Sequence, residues 1–109
     1  MTEAELRARL ASAWSRDTAT TWRADNPQLG QCSVTALAVH EALGGEILKT
    51  RVGGAWHFYN RVDGERLDLT SAQFTAPIGY DDLPSSREEA MGDTSPAQLA
   101  ALRKALFRP

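Results

Sequence analysis

Between Cys32 and Leu43 the chain offers almost no polar surface. Val34, Ala36, Leu37, Ala38, Val39, Ala42 and Leu43 fall on every side of a helical wheel. A helix of that kind is buried nearly all round, so the rest of the fold must be spent on covering it. The 109 residues suffice for one domain, 1–109, with a modest core. Gly44-Gly45 supplies the helix stop. The helix start is equally constrained: Leu29-Gly30-Gln31-Cys32 reads as a loop opening into the first turn, and it carries the only cysteine.

The cover is legible on both sides of this helix. Thr2-Glu3-Ala4-Glu5 has the hydroxyl and the carboxylate of a capping box. Leu6, Leu10, Ala13 and Trp14 then form the stripe of an amphipathic helix, expected to end near Arg16 or Asp17. Trp22 anchors the next loop, whose Asn26-Pro27 and Gly30 are turn signals. Glu46 to Val52 is predicted as a strand, Gly53-Gly54 as a turn, and Ala55 to Val62 as an aromatic and β-branched strand. Asp63-Gly64 is a favoured two-residue hairpin turn, with Glu65 to Leu69 returning as the partner. Thr70 to Phe74 forms one helical turn, and Thr75 to Pro84 reads as loop. A short helix ends at Gly92, and Ser95-Pro96 opens a last helix with Leu99, Leu102 and Leu106 on one face. The expected fold is α+β: a buried helix starting at the cysteine, packed on three antiparallel strands and flanked by N- and C-terminal helices.

Charge and residue usage exclude several classes. The formal charge is −2 with no cluster of Lys and Arg, so no nucleic-acid partner is expected. A lone cysteine forms no internal disulfide, which points to a reducing compartment. The charged N-terminus lacks the apolar run of a signal peptide, and no stretch approaches the roughly 18 apolar residues of a membrane span. A cytoplasmic location follows as the expectation. One Cys and two His without paired spacing argue against a metal, and the glycine pairs lack nucleotide-binding patterns. No cofactor is expected.

The chemistry converges on three residues. A cysteine in a helix's first turn lies beside unpaired N–H groups and the positive dipole end, both of which favour thiolate. Downstream come one candidate base, His57, and one candidate orienter, Asp68. A two-residue turn at Asp63-Gly64 pairs Val62 with Glu65, Asn60 with Leu67 and Tyr59 with Asp68. Period-two alternation then puts His57, Tyr59 and Asp68 on one face and Trp56, Phe58, Asn60, Leu67 and Leu69 on the other. His57 and Asp68 become diagonal neighbours, about 7–8 Å apart at the backbone. The apolar set marks the core face, so the start of the Cys32 helix must reach His57 either through strong sheet twist or from the sheet edge. Each residue also has a plain structural role open to it. Cys32 can be a small buried hydrophobe, His57 a strand histidine bonded to backbone, and Asp68 the cap of the turn at Thr70. Asn60 is the alternative orienter, on the wrong face by register. Tyr59 either lines the site or covers the sheet.

Several short blocks together resemble one family. Gly30-Gln31-Cys32-Ser33-Val34-Thr35-Ala36, Gly44-Gly45-Glu46-Ile47-Leu48, His57-Phe58-Tyr59-Asn60-Arg61, Asp63-Gly64, Asp68-Leu69-Thr70 and Gln73-Phe74 are similar, in that order, to the YunG family of small bacterial proteins. The resemblance covers roughly residues 22–74. The order Cys…His…Asp more distantly resembles papain-like and transglutaminase-like enzymes, which place Cys at a helix start and His with Asp or Asn on adjacent strands. That likeness implies acyl transfer, with Cys32 attacking, His57 moving the proton and Asp68 orienting it. Gln28 and Gln31 are candidate oxyanion donors, although neither falls at the papain-like spacing, and the Cys32 N–H is a third. The implied partner is a small-molecule, peptide or protein acyl substrate. The alternatives are a non-catalytic binding module that retains the fold and a redox sensor using Cys32 alone.

Overall fold

The computed structural model describes residues 1–107. Its elements run α1 (Glu3–Ala13), α2 (Cys32–Leu43), β1 (Glu46–Val52), β2 (Ala55–Val62), β3 (Glu65–Leu67), a 3-10 turn (Ser71–Gln73), β4 (Leu83–Pro84), α3 (Arg87–Met91) and α4 (Pro96–Leu106). The architecture is α+β. Every residue of α2 from Ser33 to Val39 is buried. The core around it draws Leu6 and Leu10 from α1, Phe58 and Leu67 from the sheet, and Leu99, Leu102 and Leu106 from α4. Among the described residues no helix is long and apolar enough to cross a membrane.

The sheet order is β3-β2-β1-β4, antiparallel throughout. The hairpin register is the one the turn dictates, with Val62 opposite Glu65 and Asn60 opposite Leu67. Asp63 and Gly64 both take positive φ, 52° and 80°, as a tight turn matched to strand twist requires.

Three expectations are corrected. First, α1 stops at Ala13 rather than near Arg16 or Asp17, because Trp14 turns extended. Its indole N–H donates to Thr35 Oγ1 on α2 at 2.9 Å, and Ser15–Thr18 closes a hydroxyl-bonded turn instead. Second, β3 ends at Leu67 and not Leu69, because the Asp68 carboxylate captures the Thr70 N–H and bends the chain away. Third, the sheet has a fourth strand within the stretch read as loop. Leu83 and Pro84 pair with Lys49 and Leu48, on an edge where a proline costs no ladder bond.

Candidate active site

The two faces of β2 serve different purposes. Phe58 packs into the α2 core, and Asn60 donates from Nδ2 to the Ala36 carbonyl of α2 at 3.0 Å. His57 and Tyr59 point the other way and are equally buried, at 3% and 1% exposure. No helix covers that second face. It is covered by a strap, residues 74–82, tied down along its length. Thr50 Oγ1 accepts from the Asp81 N–H, and the Tyr59 hydroxyl donates to Asp82 Oδ1 at 2.8 Å. Arg66 grips the same Asp82 carboxylate with two N–H groups.

His57 and Asp68 meet within this layer. His57 Nε2 lies 2.7 Å from Asp68 Oδ2, and the two side chains are only 3% and 5% exposed. The capping role and the pairing role of Asp68 coexist, because a carboxylate has two oxygens. Oδ1 accepts from the Thr70 N–H and hydroxyl, while Oδ2 faces His57 and also accepts from the Tyr80 hydroxyl at 2.8 Å. Burial by itself raises the Asp68 pKa, but the His57 and Tyr80 hydrogen bonds outweigh it and hold the carboxyl below its ordinary value. For His57 burial is again the largest influence, and it disfavours the imidazolium. The Asp68 hydrogen bond, the nearby Cys32 and the Asp68 charge together overcome it and bring the pKa up to about 9. The ring itself is boxed in, edge-on to Phe74 at 4.9 Å and stacked on Tyr59 at 5.9 Å between centroids.

Cys32 is the first residue of α2 and is half-buried. Since Asp68 occupies Nε2, Nδ1 is the ring nitrogen left for the sulfur. The loop that leads into Cys32 runs along the β3 edge of the sheet. β3 has already stopped, and the chain leading to Cys32 is bonded to the segment that continues from β3. Gln28 Oε1 accepts from the Ala72 N–H at 2.8 Å, and Asn26 Nδ2 donates to the Gln73 carbonyl at 3.2 Å. Gly30 takes φ +75°, and a Cβ there would sit 1.9 Å from Thr21 Oγ1, so this approach requires glycine.

The remaining sequence candidates divide cleanly. Gln31 is fully buried, and its amide is spent on the preceding turn: Oε1 accepts from Thr18 at 2.8 Å and Nε2 donates to the Ser15 carbonyl. It fixes the loop before Cys32. Gln28 braces the 72–73 segment through its oxygen. Asn60 sits across the sheet from His57, as the register predicts. Tyr59 lines the His57 side and anchors the strap. Unlike α1, α3 and α4, α2 has no side-chain cap, so its first N–H groups receive no side-chain oxygen. Phe74 stood in the Gln73-Phe74 family block without a site role, and sequence reasoning missed Tyr80 and Asp82. Their only signal is aromatic and acidic residues in a stretch otherwise read as loop. Among the described residues no group of three or more His, Cys, Asp and Glu could hold a metal ion.

These features define a small α+β chain with a cysteine at a buried helix start and a buried histidine–aspartate pair beside it. The chain belongs to the YunG family: the family model described as YunG protein matches residues 2–108, well beyond the 22–74 core expected from the motifs. A Bacillus subtilis (strain 168) protein described as "Uncharacterized protein YunG" is 50% identical over 99 residues, spanning 91% of this chain and 86% of the relative. No solved structure matches.

Proposed function

We propose that the protein is a small cysteine-dependent acyl-transfer enzyme, a hydrolase or transamidase, with Cys32 as nucleophile, His57 as proton carrier and Asp68 as orienter. The observation that carries this reading is the buried His57–Asp68 pair at 2.7 Å, with Cys32 near enough to the ring to favour its charged form. The chain order Cys32, His57, Asp68, the order used by papain-like and transglutaminase-like enzymes, supports it. An imidazolium beside the sulfur stabilises thiolate, as does the helix start.

In this reading the Cys32 thiolate adds to the carbonyl carbon of an amide, ester or thioester. The carbonyl electrons move to oxygen, where the Cys32 N–H at the uncapped start of α2 is the candidate donor. His57 gives its Nδ1 proton to the leaving group as the bond to it breaks, leaving a thioester on Cys32. Water or an amine then attacks that thioester, His57 takes its proton, and the thiolate departs. Asp68 keeps the ring's Nε2 side fixed throughout.

The test is alkylation of the folded protein. Iodoacetamide should modify Cys32 readily near about pH 6, where an ordinary thiol is almost wholly protonated. His57→Ala should slow that labelling by on the order of tenfold or more, and Asp68→Asn by less. Incubation with p-nitrophenyl acetate should leave one acetyl group on Cys32 by mass spectrometry. A Cys32 that labels only after unfolding, or whose rate ignores His57→Ala, would favour a binding module that keeps the fold without the chemistry.

A further inference from the structure

A cleft of about 360 Å³ opens between the 3-10 turn and the strap, walled by Phe74, Thr75, Ala76, Pro77, Ile78 and Tyr80. Two of these walls are the residues that touch the buried pair. The Phe74 ring meets His57 edge-on at 4.9 Å between centroids, and the Tyr80 hydroxyl holds Asp68. An occupant would therefore lie one aromatic ring away from the imidazole. Larger hollows exist, such as the one between α1 and α4, but their walls do not include these two residues.

We infer that this cleft is the subsite that receives an uncharged group of the substrate. The inference rests on the acyl-transfer reading of Cys32 and adds the class of group recognised. No lining residue is charged. Arg66 lies 4.5 Å above the Tyr80 ring, and it is already paired with Asp82. A charged substituent would shed water and find no counter-charge. Phe74, Pro77 and Ile78 offer apolar contact to a neutral group, while the Ser71, Thr75 and Tyr80 hydroxyls can hydrogen-bond an uncharged polar part of it such as an amide. The volume is at the small end for ligand pockets, which suits a branched aliphatic or benzyl-sized group.

Two probes share one warhead: N-benzyl-2-chloroacetamide and its 4-carboxybenzyl analogue. In each, the Cys32 sulfur forms a bond to the CH2 carbon and chloride leaves. Rates from intact-mass spectrometry are divided by the iodoacetamide rate, which needs no cleft. The benzyl probe should win by about tenfold or more, on the order of 1.4 kcal/mol. Ala76→Trp, which fills the cleft, and Ile78→Asp, which puts a charge in its wall, should abolish that advantage and leave the iodoacetamide rate unchanged. In parallel, unreactive N-benzylacetamide should shift the Ile78 methyl and Thr75–Ala76 amide NMR signals in wild type but not in Ala76→Trp. Equal normalised rates for the two probes, or an advantage that survives Ala76→Trp, overturn the subsite while Cys32 stays reactive. Absence of the NMR shifts overturns it whatever Cys32 does. Failure of iodoacetamide itself strikes the acyl-transfer reading instead, and a subsite for that reaction falls with it.

Discussion

The His57–Asp68 pair should make the fold less stable in mild alkali. Two opposite charges about 4 Å apart attract by roughly 4 kcal/mol at an effective dielectric of about 20. With the two side chains 3% and 5% exposed, little of that is lost to solvent screening. Burial of the imidazolium takes some back. The rise from 6.5 to about 9 leaves on the order of 3 kcal/mol in favour of the charged ring in the folded chain. Below pH 6.5 His57 is protonated both folded and unfolded, and this stabilisation is fully present. Above it the unfolded chain releases the proton while the folded chain keeps it, so the benefit fades until about pH 9, where the folded ring also titrates. The assay is urea unfolding across that window for wild type, His57→Gln and Asp68→Asn. The stability gap between wild type and His57→Gln should shrink by about 3 kcal/mol from the acid end to the alkaline end. Asp68→Asn, lacking the carboxylate that raises the ring, should lose most of that slope. A gap that stays constant with pH, or a slope that survives Asp68→Asn, would refute the buried ion pair.

Other outcomes follow from the same contacts. Leu37→Ala should cost about 2–5 kcal/mol in chemical denaturation, because Leu37 is fully buried in α2 and leaves a cavity, whereas half-buried Cys32→Ser should cost far less. Tyr80→Phe removes a donor to Asp68 but keeps the ring, so the His57 NMR titration should move while the strap remains in place. Asn60→Ala should destabilise by roughly 0.5–1.5 kcal/mol, since it removes a buried hydrogen bond to the Ala36 carbonyl, yet leave the pH dependence of Cys32 alkylation unchanged. Gly30→Ala should slow Cys32 labelling and lower stability, because both the positive φ and the Thr21 contact exclude a side chain.

The parts legible in sequence were those with a short-range cause. The apolar ring of α2, the Asp63-Gly64 turn and its period-two consequences placed Phe58 and Asn60 on one face and His57 and Tyr59 on the other. The hydroxyl caps at Thr2 and Ser95 marked two helix starts. What escaped depends on partners far along the chain. The early end of α1 follows from Trp14 seeking Thr35. β4 is two residues long and exists through pairing with Lys49 and Leu48, so no periodicity could announce it. Tyr80 and Asp82 gain their roles from Asp68, Tyr59 and Arg66, which a local reading of residues 75–84 does not bring near. The choice between capping and pairing at Asp68 dissolved once both carboxylate oxygens had positions.

The division of the sheet into two faces also sets an order of assembly. The hairpin closes across a turn of two residues, so β2 and β3 can pair early and locally. The core under α2 draws on both ends of the chain, from Leu6 to Leu106, and the strap is secured only when residues 79–82 reach Thr50, Tyr59 and Arg66. Cys32 lies on α2 and His57 on β2, so the two are brought together by tertiary packing and not by either element alone. On the acyl-transfer proposal, a nascent or damaged molecule in which α2 has not docked on β2 is expected to carry no activated thiol.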